Sequence, residues 1–227
     1  MAENKAQVRV ASIEVELGMS VQNKAGIWCK PTARMVLTVD GGTSPAQRAA
    51  IIKQGFDLPA FESLKNYMDN VEENVELGEG LYIWSDRVGN GKTSWACKIM
   101  SHYFRKIAFK SGLENEGLYI YLPTFLEDLR SSYNEEPDPE FMEVLSMMKN
   151  CKLLILDDIG AEKSSEWVNE RLLSIINTRI MKGLSTIYTS NMSLIEQEEH
   201  VGKRIASRII GSTKEIHLTG ADKRGCK

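Results

Sequence analysis

The sequence predicts an α/β fold: a five-stranded parallel sheet sandwiched by helices, with a small module in front of it. Three observations predict this. From about residue 80 onward, short apolar segments alternate with amphipathic helical segments. A glycine-bearing loop joins the first of these strands to a helix, and two later strands end in polar residues. Strands separated by helices run parallel, because each helix carries the chain back across a face of the sheet.

The elements of this domain follow from periodicity and are predicted in chain order. A first helix is predicted over 60–75, before the sheet begins. The strands are short apolar runs at 81–85, 118–122, 153–156, 185–189 and 215–218. The helices between and after them are predicted at 92–110, 124–132, 140–149, 165–181 and 203–210. We therefore assign residues 56–227 to one domain.

Residues 1–55 have a different pattern and are predicted to form a small, β-rich, partner-binding module. Apolar residues alternate with polar ones between residues 8 and 17, and a second apolar run covers 35–39. That run ends at Asp40-Gly41-Gly42, which is a turn signal. A linker over 41–45 and a helix over 45–54 would connect the module to the main domain.

Composition limits the functional classes. The four cysteines lie far apart without a C-x-x-C pair, which predicts neither a zinc site nor a disulfide framework and fits a reducing cytosol. No apolar run approaches the roughly 20 residues that cross a bilayer. We expect a cytoplasmic protein without a membrane partner. The net charge of −3 does not indicate a nucleic-acid binder, although residues 203–227 are basic, either as a solvated surface or as anion-facing arginines.

The segment 81–100 reads as a strand, a glycine-bearing loop and a helix. Such a loop presents backbone N–H groups to a phosphate, and the helix N-terminus adds its positive dipole end. In the pattern G-x-x-x-x-G-K-[ST], Lys92 would reach the β/γ-phosphates and the Thr93 hydroxyl would bind Mg²⁺. The first glycine of the pattern falls on Asp86, which departs from it. The candidate nucleotide-binding residues here are Gly89, Asn90, Gly91, Lys92, Thr93 and Ser94.

Two later strands end in polar residues at the edge where ligands bind in open α/β sheets. Four apolar residues precede Asp157 and Asp158. Asp157 is predicted to hold Mg²⁺ through water, and Asp158 to orient the attacking water. Asn191 follows the next strand and either contacts that water or the γ-phosphate, or caps the following helix at about 192–199. Because Asp158 stands where many ATPases have glutamate, we expect slow hydrolysis.

Taken in order, these segments resemble the AAA+ ATPases, which have the P-loop core of the ASCE class, and more narrowly the bacterial helicase loaders of the DnaC/DnaI type. The resemblance lies in Leu-Asp-Asp-Ile-Gly-Ala-Glu at 156–162, Ser-Glu-Trp-Val-Asn-Glu-Arg at 165–171 and Thr-Ile-Tyr-Thr-Ser-Asn-Met-Ser at 186–193. It covers residues 56–225 and implies one AAA+ core without a large C-terminal lid. It also implies ATP or ADP and Mg²⁺ as ligands.

The resemblance implies further roles. Arg208 matches the arginine finger, which reaches the nucleotide of a neighbouring subunit and implies self-assembly. Arg224 matches the sensor-2 arginine that contacts the γ-phosphate in cis. A permanently charged, planar guanidinium suits phosphate oxygens. The implied partners are a DnaB-type replicative helicase and single-stranded DNA, but the extra helical segment 124–149 is acidic, so we expect only modest, salt-dependent DNA affinity.

Three functions stay open from the sequence. The leading hypothesis is an ATP-controlled loader that places a hexameric replicative helicase on single-stranded DNA during replication. The second is a transposition helper ATPase like IstB. The third is a weakly hydrolysing AAA+ adaptor or inhibitor of the helicase, suggested by Asp86 and Asp158. Residues 1–55 contain a single cysteine and no histidine, unlike a zinc-bearing helicase-binding domain, which suggests a phage-encoded loader with a different docking mode.

Overall fold

The structure is a computed structural model that describes residues 14–15, 19–23, 26–29, 35–36, 58–108, 110, 115–131, 139–161 and 166–220. Before residue 58 it describes the backbone of four short strands. In chain order the strands are β1 Glu14–Val15, β2 Met19–Asn23, β3 Gly26–Cys29, β4 Met35–Val36, β5 Gly80–Trp84, β6 Gly117–Tyr121, β7 Leu153–Asp157, β8 Ser185–Ser190 and β9 Thr213–His217.

The helices described by the structure surround a central sheet that most of these strands form. They are α1 Leu58–Asp69, α2 Val71–Glu76, α3 Lys92–Ile107, α4 Leu122–Ser131, α5 Pro139–Asn150, α6 Glu166–Met181, α7 Leu194–Val201 and α8 Lys203–Ser212. No helix in these described segments is long and apolar enough to cross a membrane.

The central sheet confirms the predicted α/β architecture. Its strand order is β2-β3-β6-β7-β8-β5-β9, and the last five strands of this order, β6, β7, β8, β5 and β9, are parallel. Strand β5 lies between β8 and β9, so the loop after β5 opens beside the carboxyl ends of both neighbours. Since ligands bind at the carboxyl ends of parallel strands, this order positions the candidate site.

Apolar side chains cover both faces of the parallel strands, which is why these strands read as continuous apolar runs. On one face Leu81 and Ile83 pack with Ile99 and Met100 of α3. On the other face a second cluster joins α4, α6, α7 and α8 to the sheet, and Tyr82 belongs to it. All of β7 is buried, so the strand that carries Asp157 is held on both sides.

The helix predicted over 60–75 is wrong in one respect, because the structure has two helices that meet at Asn70. Asn70 leaves the helical conformation with φ −104° and ψ 20°. Its side-chain amide donates to the carbonyl oxygen of Asn66 at 3.0 Å, and the Asn74 amide donates to that of Tyr67 at 3.0 Å. Asparagine side chains that bind nearby backbone carbonyls compete with the helix, which explains the break.

Before residue 58, strands β2 and β3 form an antiparallel hairpin, and β3 pairs antiparallel with β6. Strands β1 and β4 form a separate antiparallel pair. These two coincide with the predicted apolar runs, whereas the β2–β3 hairpin was not predicted. The predicted strand residues Val8 and Val10, the linker and the helix over 45–54 lie outside the described residues.

At the amino ends of the parallel strands, Arg179 of α6 is buried to 1% exposure. Its guanidinium donates to the carbonyl oxygens of Met148 at 2.7 Å, Cys151 at 2.9 Å and Ser185 at 2.5 Å. Its Nε donates to the Thr186 hydroxyl at 2.8 Å. Burial lowers the pKa of this guanidinium below its usual value. One side chain thereby ties the end of α5 to the starts of β7 and β8.

Candidate nucleotide-binding site

The loop between β5 and α3 has the backbone that a phosphate-binding loop needs. Gly89 has φ +74° and Gly91 has φ +101°, a region that favours glycine. Gly91 is the N-cap of α3, and a Cβ there would meet nothing within 4 Å. Helix α3 begins at Lys92, and its first turn carries no acidic residue. The N–H groups of its first turn and its positive dipole end therefore face this loop.

Lys92 lies inside the loop and is only 8% exposed. Its ammonium donates to the carbonyl oxygen of Arg87 at 3.0 Å and to Oδ1 of Asn191 at 2.8 Å. Lys92 and Asn191, the residue directly after β8, are thus brought together across 99 positions of sequence. The ammonium sits where the loop backbone and the sheet edge converge.

Asp157, at the end of β7, accepts three hydrogen bonds. Its Oδ1 accepts from the Thr93 hydroxyl at 2.8 Å and from the Thr189 hydroxyl at 2.6 Å. Its Oδ2 accepts from the Tyr119 hydroxyl at 2.6 Å. Three donors converging on one carboxylate fix its orientation.

Asp158 adopts φ +63°, in the left-handed region that aspartate tolerates better than most residues. Its backbone N–H donates to the Thr189 hydroxyl at 2.9 Å, and its Oδ1 accepts from the Asn191 amide at 2.8 Å. Burial raises the pKa of its carboxyl, the Asp157 charge adds to this rise, and the Lys92 ammonium opposes it. The carboxylate thus lies beside the lysine at the mouth of the site.

The structure excludes the helix-capping interpretation of Asn191. The helix that follows β8 is capped by Ser193, which forms a reciprocal capping box with Glu196. Asn191 therefore does not cap α7. Its amide instead joins Lys92 to Asp158, through Oδ1 and Nδ2 respectively.

The two groups predicted to hold Mg²⁺, the Thr93 hydroxyl and, through water, the Asp157 carboxylate, lie together here. Hard oxygen ligands of this kind suit Mg²⁺. Among the described residues no cluster of three or more His, Cys, Asp or Glu side chains could hold a metal ion. The residues therefore fit an ion that takes its remaining ligands from phosphate and water.

The Asp86 carboxylate, at the position where the loop pattern has glycine, faces β9 and not Asp157 or Asp158. Its side chain is 72% exposed, and Oδ1 lies 4.0 Å from Nε2 of His217. The His217 ring stacks on the ring of Trp84 at a centroid distance of 3.8 Å. Next in the loop, the buried Asn90 amide donates to the carbonyl oxygen of Leu218 at 3.0 Å. The loop is therefore attached to the end of β9.

Of the remaining predicted site residues, Ser94 is exposed in the first turn of α3. Arg208 lies on α8, where its Nη1 donates to the carbonyl oxygen of Arg204 at 3.0 Å and its Nε donates to Oδ1 of Asn177. These contacts hold it against α6. Arg224 lies outside the described residues. The structure thus brings together Lys92, Thr93, Asp157, Asp158 and Asn191.

Sequence reasoning missed Thr189 and Tyr119, both of which donate to Asp157. Thr189 is two residues before Asn191 in β8, so strand alternation places it on the same face. That signal was available. Tyr119 lies on β6 and reaches Asp157 on the adjacent strand β7. The sequence alone does not show that these two strands are neighbours in the sheet.

No family model matches the chain. The chain is 27% identical over 180 residues to the replicative helicase loader DnaI of Bacillus subtilis (strain 168), a match that covers 74% of this chain and 54% of that protein. The chain therefore spans about half the length of this curated relative.

Solved structures share the fold. A crystal structure of DnaI aligns with a TM-score of 0.60 and 23% identity, over 80% of this chain and 88% of that one. The DnaC helicase loader aligns with a TM-score of 0.56 and 22% identity, over 79% and 94%. The replication initiator DnaA, bound to AMPPCP and single-stranded DNA, aligns with a TM-score of 0.55 and 22% identity, over 72% and 47%. In sequence the chain is similar to the replicative helicase loader DnaI, and in fold it is similar to DnaI, DnaC and DnaA.

Proposed function

We propose that the chain is an ATP-binding helicase loader, which recruits a hexameric replicative helicase of the DnaB type and places it on single-stranded DNA during replication. The observation that carries the nucleotide part is the contact network of Lys92, Asn191 and Asp158 beside the Thr93–Asp157 pair. The similarity to DnaI supports the loader part. Nucleotide binding is also supported by the DnaA neighbour, which was solved with AMPPCP.

In this proposal each side chain at the loop has one role. The backbone N–H groups of Gly89, Asn90, Gly91 and the first turn of α3 cradle the phosphates. Lys92 exchanges its contact with the Arg87 carbonyl for a β/γ-phosphate oxygen, because a charged partner gives the stronger hydrogen bond. Thr93, and Asp157 through water, would hold Mg²⁺, and the ion would neutralise charge on the phosphates.

Asp158 orients the attacking water, and Asn191 is placed to contact that water or the γ-phosphate. We infer slow hydrolysis for two reasons. Asp158 is one methylene shorter than glutamate, and its carboxylate is already bonded to the Asn191 amide, so the water-binding geometry requires rearrangement of that contact. A slow step of this kind suits a switch between ATP and ADP states better than a motor.

Arg208 is proposed as the finger that completes the site of a neighbouring copy, and Arg224 as the residue that contacts the γ-phosphate in its own subunit. The contacts of Arg208 with Asn177 and Arg204 support action in trans, since they hold it on α8 and not at its own phosphate loop. Hydrolysis would then depend on assembly. DNA binding would be modest and salt-dependent, with Glu127 and Asp128 on the acidic α4.

The decisive experiment is capture of the purified replicative helicase of the host by the tagged chain, with ATP, with ADP and without nucleotide. We expect capture that depends on the nucleotide state. Lys92→Ala is expected to remove that dependence, while Lys98→Ala, an exposed lysine of the same helix, keeps it. If the chain captures the helicase in none of these nucleotide states, the loader function is contradicted. Capture of a transposase in its place would favour the helper ATPase.

A second experiment tests the finger. Arg208→Ala is expected to reduce ATP hydrolysis about 10³-fold at concentrations where the chain assembles, with nucleotide affinity within about twofold of the unaltered protein. Mixing Arg208→Ala with Lys92→Ala should restore part of the rate, since the mixture forms sites with an intact lysine and an intact finger. An unchanged rate for Arg208→Ala alone would refute this assignment.

A further inference from the structure

Helix α7 sends one fully buried polar side chain, Gln197, to the backbone of the turn after β7. Gln197 is 0% exposed. Its Nε2 donates to the carbonyl oxygen of Ile159 at 2.8 Å and to the Ser190 hydroxyl oxygen at 2.8 Å. A carbonyl oxygen only accepts, so the amide nitrogen and not the amide oxygen must face Ile159. The orientation of the side chain is therefore defined.

The same turn is held by Ser190 of β8. The Ser190 hydroxyl donates to the Ile159 carbonyl oxygen at 2.7 Å, and the Ile159 N–H donates to the carbonyl oxygen of Thr189 at 2.9 Å. The Ile159 carbonyl thus accepts from two side chains, one on β8 and one on α7. Such doubly bonded buried carbonyls fix the peptide plane on which they lie.

The backbone on both sides of Ile159 is conformationally unusual. Asp158 has φ +63° and Gly160 has φ +92°. A Cβ at Gly160 would overlap the amide nitrogen of Gln197, so the close approach needs glycine there. Left-handed backbone at a non-glycine residue persists only where its surroundings hold it. Gln197 is part of those surroundings.

We propose that Gln197 is a positioning residue for Asp158. It holds the 158–160 turn and thereby sets the distance between the Asp158 carboxylate and Asn191. This inference rests on the proposed function, in which Asp158 orients the attacking water. Because α7 is joined to α8 through the single residue Gly202, and α8 carries Arg208, a displacement of α8 on assembly would reach Asp158 through Gln197.

The test compares Gln197→Met with Val201→Ala. Methionine keeps the length and volume of glutamine but cannot donate, so it removes the contact with Ile159 and leaves the packing. Val201 is buried on the same helix at 3% exposure, and its truncation loosens α7 without touching the turn. Both variants are characterised as full-length protein for stability, nucleotide affinity, kcat and KM.

For Gln197→Met we expect kcat to fall about tenfold while KM for ATP stays within about twofold, since a displaced catalytic group costs turnover and not binding. Val201→Ala should keep kcat within about twofold. An equal fall of kcat in the two variants would reduce Gln197 to a packing residue and overturn the proposal, as would an unchanged kcat in Gln197→Met.

Hydrogen exchange separates this proposal from the ATPase function. In Gln197→Met the amides of Asp158 and Ile159 should exchange at least about fivefold faster, with the start of α3 unchanged. Unchanged exchange at these amides would refute the positioning role whether or not the protein hydrolyses ATP. If Gln197→Met does not fold, Ser190→Ala, which removes the other donor to Ile159, gives the same readouts. An unaltered protein that hydrolyses no ATP would refute the ATPase function alone.

Discussion

Thr189 is the residue whose removal tests the site most directly, because its hydroxyl bonds both adjacent aspartates. It donates to Asp157 at 2.6 Å, accepts from the Asp158 N–H at 2.9 Å and is 1% exposed. Thr189→Val keeps the shape and removes both bonds. A hydrogen bond to an ionised group contributes about 1.5–3 kcal/mol, and a buried N–H left without an acceptor costs about 1–3 kcal/mol.

Asp157 retains two donors, Thr93 and Tyr119, so we take values near the lower ends of both energy ranges. The expected loss is about 2–3 kcal/mol in the free energy of unfolding, out of a total of roughly 5–15 kcal/mol for a domain. For a chain of this length that corresponds to a fall in Tm of roughly 4–12 °C.

The assay is urea unfolding at pH 7.5, followed by tryptophan fluorescence and repeated by circular dichroism. Thr178→Val is the matched control, because among the described residues the Thr178 hydroxyl bonds only a carbonyl of its own helix, that of Ser174 at 2.8 Å. The control should change stability by less than about 0.5 kcal/mol. A loss below that same limit for Thr189→Val would show that its hydroxyl does not bridge the two aspartates.

Two further substitutions probe charged side chains away from the site. Arg179→Leu should lower the free energy of unfolding by about 3–5 kcal/mol, because it removes the guanidinium donor from three buried carbonyls. Arg179→Lys should not restore this stability, since an ammonium lacks the guanidinium fork; equal stability of the arginine and lysine proteins in urea would contradict this. Burial, together with Glu127, raises the pKa of Asp128 to about 6. The folded-state pKa lies above the unfolded one, so this carboxyl favours folding below pH 4 and disfavours it once the pH rises through 6. Asp128→Asn should therefore add about 1 kcal/mol at pH 7.5, after discounting for solvent screening, and nothing at pH 4; urea midpoints at both pH values measure this, and a gain at pH 4 would reverse the sign argument.

The parallel part of the sheet could be predicted because each of its strands is a short apolar run between amphipathic helices, and β5 to β8 begin and end within two residues of the predicted limits. The break at Asn70 could not, since helical periodicity continues through it and the competing hydrogen bonds depend on Asn66 and Tyr67. The local sequence pattern also did not predict the β2–β3 hairpin, because the pairing of β3 with β6 is a long-range contact.

For the candidate site, sequence motifs identified the residues at the carboxyl ends of the strands, and the structure brings them into contact. What the motifs did not contain was the support around them. Alternation along β8 gave a signal for Thr189. The contacts of Tyr119 and Gln197 depend on the order of the strands and on the packing of α7, which the sequence does not supply. The orientation of the Asp86 side chain also could not be predicted, because its approach to His217 depends on the position of β9 beside β5.

Strand β9 has one hydrogen-bonded neighbour, β5, among the strands that the structure describes. Its other backbone edge could pair with a strand of another molecule, which is a route to aggregation. The strand is only five residues long, and Lys214 and Glu215 are exposed at adjacent positions along it. Short edges with charged side chains resist such pairing. Replacing these two residues with β-branched apolar ones should therefore lower the solubility of the protein, although the nucleotide-binding residues are unchanged.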